Sequence, residues 1–270
     1  HQTMYDTHCH LTFREFDGRT GEVLDRAAAA GVRGVVSVAT NSANAPRCLE
    51  LARADARIRC TAGVHPLYAA EPVDWSVIRE VAAAEECVAW GELGLDRHYP
   101  EPAAAVQERI LGEHLALIET ARGEGLDKPV VIHCREAFEE LVPILRASSI
   151  PGERFVFHCF TAGPEEARRV LDLGAMISFT GVLTFRNAAA VREAAALVPE
   201  DRLMVETDAP YLSPEPHRSN FPCEPAFVVH VAERLAAVRG VPAADLERTL
   251  DANAERFFGL AFPALPERRP

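Results

Sequence analysis

Short apolar runs rich in β-branched residues recur along the chain and alternate with alanine-rich segments that have helical spacing. Eight of these runs are predicted to be strands: residues 4–8, 34–38, 58–64, 87–91, 130–132, 154–157, 175–179 and 203–205. Helices are predicted between them, for example over residues 14–30, 103–122, 136–147 and 165–173. Strands that are apolar along their whole length and alternate with helices are typical of a parallel sheet covered by helices.

Eight such units in about 250 residues favour a single (β/α)8 barrel, the TIM barrel, with an open doubly wound sheet as the alternative. We expect one domain over residues 4–262, because no low-complexity linker divides the chain. The Pro-rich residues 263–270 are predicted to form a loosely held tail. Residues 1–3 precede Met4 and are interpreted as the remnant of an expression tag.

Charge and cysteine content limit the partners and the compartment. With 28 basic and 40 acidic side chains the net charge is −12, which argues against binding nucleic acid through a broad basic surface. The seven cysteines are odd in number and form no C-x-x-C pair, so a reducing cytoplasm is expected. No stretch approaches the roughly 18 apolar residues of a membrane span, and there is no secretory signal. We therefore expect no membrane association, and nothing in the sequence indicates a stable protein partner.

Histidine and carboxylate residues stand at the ends of five predicted strands. They are His8 and His10 at the first strand, Glu92 at the fourth, His133 at the fifth, His158 at the sixth and Asp208 at the eighth. In a barrel the carboxyl ends of all strands meet on one face, which is where active sites lie. Residues distant in sequence are therefore predicted to converge on one pocket.

Four imidazoles and two carboxylates form a nitrogen and oxygen donor set that suits divalent ions such as Zn, Mn or Mg. His8 and His10 are two residues apart on an extended chain, so their side chains point the same way. Six ligands exceed what one ion would use if it also bound substrate and water. Two ions that share a carboxylate would satisfy the set, and Glu92 is well placed to bridge them.

The same alternation places three cysteines on the opposite side of the strands. Cys9 lies between two predicted ligands, and Cys134 and Cys159 each follow one. We predict that all three pack against the helical layer rather than line the pocket. Among the other histidines, His114 and His230 lie in helical segments and are interpreted as structural, whereas His98 and His217 fit either interpretation.

Eight motifs resemble the TatD family of metal-dependent deoxyribonucleases, within the wider group of amidohydrolase-like barrels. In order they are DTHCHL (6–11), GVHP (63–66), GELGLD (91–96), VIHCREA (131–137), HCF (158–160), SFTGVLTFRNA (178–188), ETDAPYL (206–212) and NAERFFGL (253–260). The resemblance extends from residue 5 to about residue 260. Several such motifs in this order are highly specific, although any one alone would be weak.

The resemblance implies a TIM barrel with two divalent ions and assigns roles to individual residues. His8 and His10 would hold the first ion with Asp208, Glu92 would bridge, and His133 and His158 would hold the second ion. His65 and Arg135 would face the substrate phosphate, and Arg218 is a further candidate for substrate binding that would add positive charge to the pocket.

Two ions polarise a phosphoryl oxygen and lower the pKa of a bound water, and Asp208 is the best candidate to orient or deprotonate that water. The leading hypothesis is therefore a metal-dependent phosphodiesterase that acts on DNA, at single-stranded or frayed ends. The alternative keeps the metals but hydrolyses an amide or ester, such as mischarged aminoacyl-tRNA. A non-catalytic metal-binding protein is the third hypothesis.

Many amidohydrolase-like barrels bridge their metals with a carbamylated lysine. The only lysine of this chain is Lys128, which precedes the fifth strand, while His133 lies at the far end of that strand. Five residues at about 3.3 Å each separate them by roughly 16 Å, so Lys128 is predicted to lie at the opposite rim. The bridge must then be an ordinary carboxylate.

Overall fold

The computed structural model describes residues 4–265, in which eight parallel strands form one sheet in the order β1 to β8. The strands are β1 (Met4–Cys9), β2 (Val32–Ser37), β3 (Ile58–Ala62), β4 (Cys87–Asp96), β5 (Val130–Arg135), β6 (Phe155–Phe157), β7 (Met176–Phe179) and β8 (Leu203–Val205). The sheet closes through a parallel bridge between Cys9 and Ala209, and the amide of Asp208 donates to the carbonyl of His8 at 2.9 Å. The predicted (β/α)8 barrel is confirmed, and the open sheet is excluded.

Helices surround the barrel and connect successive strands. They are α1 (Thr20–Ala29), α2 (Ala45–Ala54), α3 (Trp75–Ala83), α4 (Ala104–Gly123), α5 (Phe138–Ala147), α6 (Pro164–Leu173), α7 (Ala189–Leu197), α8 (Val228–Arg239) and α9 (Ala243–Phe258). The first predicted helix was too long, because Gly18 adopts a left-handed φ of 68° that ends a short 3-10 turn at Arg14–Phe16. Within residues 4–265, no helix combines the length and apolar composition that a bilayer crossing requires.

Two apolar clusters hold the fold together. The larger lies between the sheet and the helices, and the smaller fills the barrel interior with inward-facing side chains such as Tyr5, Val131 and Met204. Phe262 belongs to the smaller cluster and covers Gly34, where a Cβ atom would lie only 2.6 Å from its ring. The end of the barrel opposite the strand carboxyl termini is thus closed by the chain's own C-terminal segment.

Part of the segment predicted to be loosely held is tied to the barrel. Arg33 donates to the carbonyl oxygens of Phe262 and Pro263, at 2.7 Å and 3.1 Å. The remaining residues of that prediction, 266–270, and the tag remnant predicted at residues 1–3 lie outside the described residues.

Candidate metal centre and active site

The carboxyl ends of the strands surround a cavity of about 600 Å³. The structure brings together all six predicted metal ligands at its base: His8, His10, Glu92, His133, His158 and Asp208. His65 and Arg135, predicted to contact substrate, also line the cavity, whereas Arg218 is not among the lining residues.

A bulge in β4 positions Glu92 at the centre of this group. β4 continues to Asp96 rather than ending at Gly91 as predicted, and its register with β5 shifts between Gly91 and Leu93, which leaves Glu92 as the extra residue. Gly91 (φ 137°) and Gly94 (φ 152°) flank it in conformations that L-residues rarely adopt. A Cβ atom on Gly91 would also lie 2.8 Å from Val131, so the G-E-L-G sequence is what permits this bend.

One oxygen of Glu92 faces the two histidines of the first strand. Its Oε2 atom lies 3.2 Å from His8 Nε2 and 3.7 Å from His10 Nε2. The Oδ1 atom of Asp208 lies 3.5 Å and 3.3 Å from the same two nitrogens. These four side chains therefore present two imidazole nitrogens and two carboxylate oxygens to one small volume.

The other oxygen of Glu92 faces a second pair of histidines. Its Oε1 atom lies 2.6 Å from His158 Nε2 and 2.8 Å from His133 Nδ1, and those two nitrogens are 3.4 Å apart. The ring of His158 stacks on that of His8 with a centroid distance of 3.8 Å, so the two halves of the site adjoin. Glu92 lies between them.

Two carboxylates outside the predicted ligand set orient the second pair. Asp96 Oδ2 lies 2.8 Å from His133 Nε2, and Glu206 Oε1 lies 2.9 Å from His158 Nδ1. Carboxylates in this position fix the tautomer and the ring orientation of metal-binding histidines. Both residues stand in strand-end motifs of the sequence, GELGLD and ETDAPYL, but their pairing with the two histidines depends on the folded backbone.

The nitrogen and oxygen atoms that face one another in this cluster are better suited to binding a cation than to bonding among themselves. The 3.3 Å contact between His8 Nε2 and His10 Nε2 sets two ring nitrogens against each other. Glu92 Oε2 is buried without a hydrogen-bond partner among the described residues. A buried carboxylate oxygen in that state is costly unless a positive charge compensates it. A divalent ion bound between the oxygen and the nitrogens would provide that charge.

The electrostatics of the cluster also favour a cation. Burial alone disfavours charge on Glu92, but the surrounding imidazoles, above all that of His158, hold the pKa of this carboxyl well below its usual range. Burial likewise disfavours charge on His158, yet Glu92 and Glu206 raise the pKa of its imidazole well above the usual value. The carboxylate is thus ionised at neutral pH, and the imidazole protons are what a bound metal would displace.

A backbone amide fixes the tautomer of His65. Its Nδ1 atom accepts a hydrogen bond from the amide of Leu67 at 3.0 Å, so a neutral His65 carries its proton on Nε2. Burial lowers the pKa of His65, which favours this neutral form. This Nε2 atom lies 3.3 Å from Glu92 Oε1, and His65 lines the cavity. This suits contact with a substrate oxygen better than binding to a metal.

The prediction for the cysteines is confirmed in one case and wrong in another. Cys9 is fully buried in the cluster between sheet and helices. Cys134 is buried in the same cluster, although part of it reaches the cavity wall. Cys159 lines the cavity and is only half-buried. The reason is that β6 ends at Phe157 and Cys159 has a φ of 45°, so strand alternation no longer applies.

Three further histidines lie away from the cavity lining. His98 pairs with Glu136 at 2.9 Å on the surface, and His217 stacks on Phe227 at 4.3 Å. His230 pairs with the exposed Glu233 at 3.5 Å, which agrees with its structural interpretation.

Lys128 lies at the opposite rim of the barrel, as predicted. Its ammonium group donates to the carbonyl oxygens of Ala84 and Cys87, at 2.7 Å and 2.6 Å, next to the start of β4. It is therefore held away from the carboxyl ends of the strands.

A closed (β/α)8 barrel with histidines and carboxylates gathered at the carboxyl ends of its strands defines the class of metal-dependent barrel hydrolases. The chain belongs to the TatD related DNase family, whose model matches residues 5–259. It is 39% identical over 259 residues to the uncharacterized metal-dependent hydrolase YcfH of Escherichia coli K12, with 94% of this chain and 95% of that protein covered. The resemblance identified from the motifs is confirmed.

Two further proteins extend the comparison. The chain is 37% identical over 268 residues to the 3'-5' ssDNA/RNA exonuclease TatD of Pantoea ananatis, with 95% of this chain and 100% of that protein covered. The crystal structure of YJJV, a TatD homolog from Escherichia coli K12, superimposes with a TM-score of 0.88 at 29% identity, covering 96% of this chain and 98% of that one.

Proposed function

We propose that this chain hydrolyses phosphodiester bonds at single-stranded or frayed ends of DNA, as an exonuclease with two divalent ions. The first ion would be held by His8, His10 and Asp208. The second would be held by His133 and His158, with Glu92 shared between the two. Mg, Mn and Zn all suit a donor set of this kind.

The single observation that carries this proposal is the division of Glu92 between two sets of nitrogens. Its Oε2 atom is 3.2 Å from His8 and its Oε1 atom is 2.6 Å from His158. An ordinary ion pair would not place imidazoles at both oxygens of one carboxylate. It would also not leave the buried Oε2 atom without a hydrogen-bond partner among residues 4–265. Cations held by these two sets of residues would account for both features.

When bound, the divalent ions supply Lewis acidity to the phosphoryl oxygen and acidify the attacking water. Asp208 would orient that water and accept its proton: burial disfavours its charge, but the hydrogen bond with His10 lowers the pKa of the carboxyl, so it is ionised. His65 would donate from Nε2 to a phosphate oxygen. Arg135 would add a permanent positive charge at the cavity wall.

Arg218 would act further out. Its guanidinium stacks on the ring of Phe185 at 3.9 Å, and it does not line the cavity. We propose that it contacts the phosphates of a longer strand. Local positive charge from the bound ions, Arg135 and Arg218 would reconcile a polyanionic substrate with a chain of net charge −12.

The nucleic-acid substrate is supported by the relatives, and the compartment by the cysteines. The Pantoea ananatis relative is named for exonuclease activity on single-stranded DNA and RNA; the preference for DNA is our own inference. We also place the protein in the cytoplasm, since all seven cysteines are free, as a reducing compartment would keep them.

The test is a nuclease assay on the purified protein after chelation and reloading with Mg, Mn or Zn. Single-stranded oligonucleotides labelled at either end would be compared with duplexes, RNA and aminoacyl-tRNA. We expect stepwise release of nucleotides from single-stranded DNA that chelator abolishes and metal restores.

Release of amino acid from charged tRNA without cleavage of any oligonucleotide would favour the ester-hydrolase alternative and contradict the nuclease. Metal-independent cleavage would contradict the proposed site. The substitution His133→Ala removes a proposed ligand, and Cys134→Ser at the neighbouring residue is its matched control.

A further inference from the structure

The rim of the cavity carries exposed aromatic side chains. Among residues 4–265, the exposed large hydrophobic side chains are Tyr99, Tyr211 and Phe221, with 49%, 48% and 66% of their surfaces accessible. Tyr99 and Tyr211 line the cavity, and Phe221 does not. Large aromatic rings left accessible at the mouth of a polar cavity indicate a surface that a ligand covers.

Tyr211 is fixed beside the first half of the site. Its amide donates to the carbonyl of Asp208 at 3.1 Å, and its ring meets Phe13 edge to face at 6.2 Å. Phe13 in turn stacks on the ring of His10 with a centroid distance of 4.6 Å. A group stacked on Tyr211 would therefore lie against the His10 and Asp208 side of the cavity.

Tyr99 stands beside the second half of the site. It follows β4 by three residues, and the guanidinium of Arg135 lies 5.7 Å from the centroid of its ring. Arg135 ends β5, two residues after His133. Tyr99 and Tyr211 thus flank the ligand cluster from two sides, one with a cation beside it and one with a second aromatic ring.

We propose that Tyr99 and Tyr211 are base-stacking residues that hold unpaired nucleobases on either side of the phosphodiester to be cleaved. This inference rests on the proposed nuclease function. Every base has a π-face, so stacking recognises single strands without reading their sequence, and a nearby arginine strengthens it. The cluster beneath is buried, with Glu92 only 1% exposed, so the strand end must enter the cavity and its bases meet the rim.

The chemistry of stacking indicates which nucleic acid the two tyrosines would bind. A base in a duplex is already stacked on its neighbours and paired, whereas a base at a single-stranded or frayed end is free to stack on a tyrosine. The rim therefore selects unpaired ends. Loss of one tyrosine ring should weaken the binding affinity by a factor of roughly 5 to 150, as for single aromatic residues in other single-strand binding grooves.

The experiment compares Tyr211→Ala, Tyr211→Phe and Tyr99→Ala, with Phe221→Ala as the matched control for loss of an exposed ring. Each metal-loaded protein is assayed on a single-stranded oligonucleotide and on two versions with an abasic residue at the last or the second-last nucleotide. Metal content is measured in parallel to exclude damage to the ligand cluster.

We expect each alanine variant to raise KM with little change in kcat, and Tyr211→Phe to recover most of the loss. The penalty of each alanine substitution should vanish on the oligonucleotide that lacks the base it stacks on, with the two tyrosines reporting different nucleotides. An unchanged KM, or a penalty that is the same on all three oligonucleotides, would overturn the stacking role while leaving the nuclease intact. Failure of the wild-type protein to cleave any oligonucleotide would instead overturn the proposed function and this inference with it.

Discussion

His114, on the inner side of α4, ties the stability of the barrel to pH. It is fully buried, its ring lies 5.0 Å from that of Trp75 and 6.2 Å from that of Trp90, and neither ring nitrogen has a hydrogen-bond partner in another described residue. Burial without a partner lowers the pKa of His114 from 6.5 to about 4. The folded protein therefore holds this imidazole neutral.

The sign and size of the effect follow from linkage. Between pH 6.5 and pH 4 the unfolded chain binds a proton at His114 that the folded chain does not, so the free energy of unfolding falls as the pH falls through this window. The shift corresponds to about 3 kcal/mol, fully present above pH 6.5 and lost by pH 4.

The measurement is urea unfolding of the wild-type protein and of His114→Leu between pH 4 and pH 8, with the same metal load in both. Leucine is close to histidine in volume and cannot bind a proton, so the difference between the two curves isolates this group. We expect the wild-type protein to lose about 3 kcal/mol relative to His114→Leu from pH 7 to pH 4. Parallel pH profiles would refute the assignment of a neutral, unpaired His114.

Three further predictions concern other parts of the molecule. Phe262→Ala should lower the free energy of unfolding by about 3–5 kcal/mol, because it opens a cavity at the closed end of the barrel. Phe221→Ala on the surface should change the free energy of unfolding little, and chemical denaturation of both variants checks this. His133→Ala should lower bound metal measured by mass spectrometry, and Cys134→Ser should reduce stability but not metal content; loss of metal in the cysteine variant would show that its side chain belongs to the site. Lys128→Arg should leave hydrolysis unchanged and independent of added bicarbonate, and a bicarbonate requirement would contradict the carboxylate bridge.

The sequence was sufficient to predict the barrel and the convergence of the ligands, for a physical reason. Strands buried on both faces must be apolar along their length, so a histidine or carboxylate directly after such a run marks a strand end. Glu92, His133 and His158 directly follow such runs, and in a closed parallel barrel all such ends meet.

Features that depend on local backbone geometry could not be predicted. The bulge at Glu92 depends on how β4 pairs with β5, and an apolar pattern does not report an extra residue. Strand alternation predicts the wrong side for Cys159, because β6 ends at Phe157 and the backbone at Cys159 is left-handed. The hydrogen bond that orients His158 through Glu206 requires knowledge of which ring nitrogen faces inward.

The central claim is that Glu92 joins two ions in one hydrolytic site, and its most direct test is the number of metal ions bound per chain, measured by elemental analysis together with turnover on single-stranded DNA. For the reconstituted wild-type protein we predict two ions per chain and hydrolysis of the DNA. A folded Glu92→Gln variant should lose bound metal and most of its turnover, because a neutral amide is a poor bridge between cations. Full occupancy and near-normal turnover in Glu92→Gln, or a single ion in a fully active wild-type protein, would contradict it.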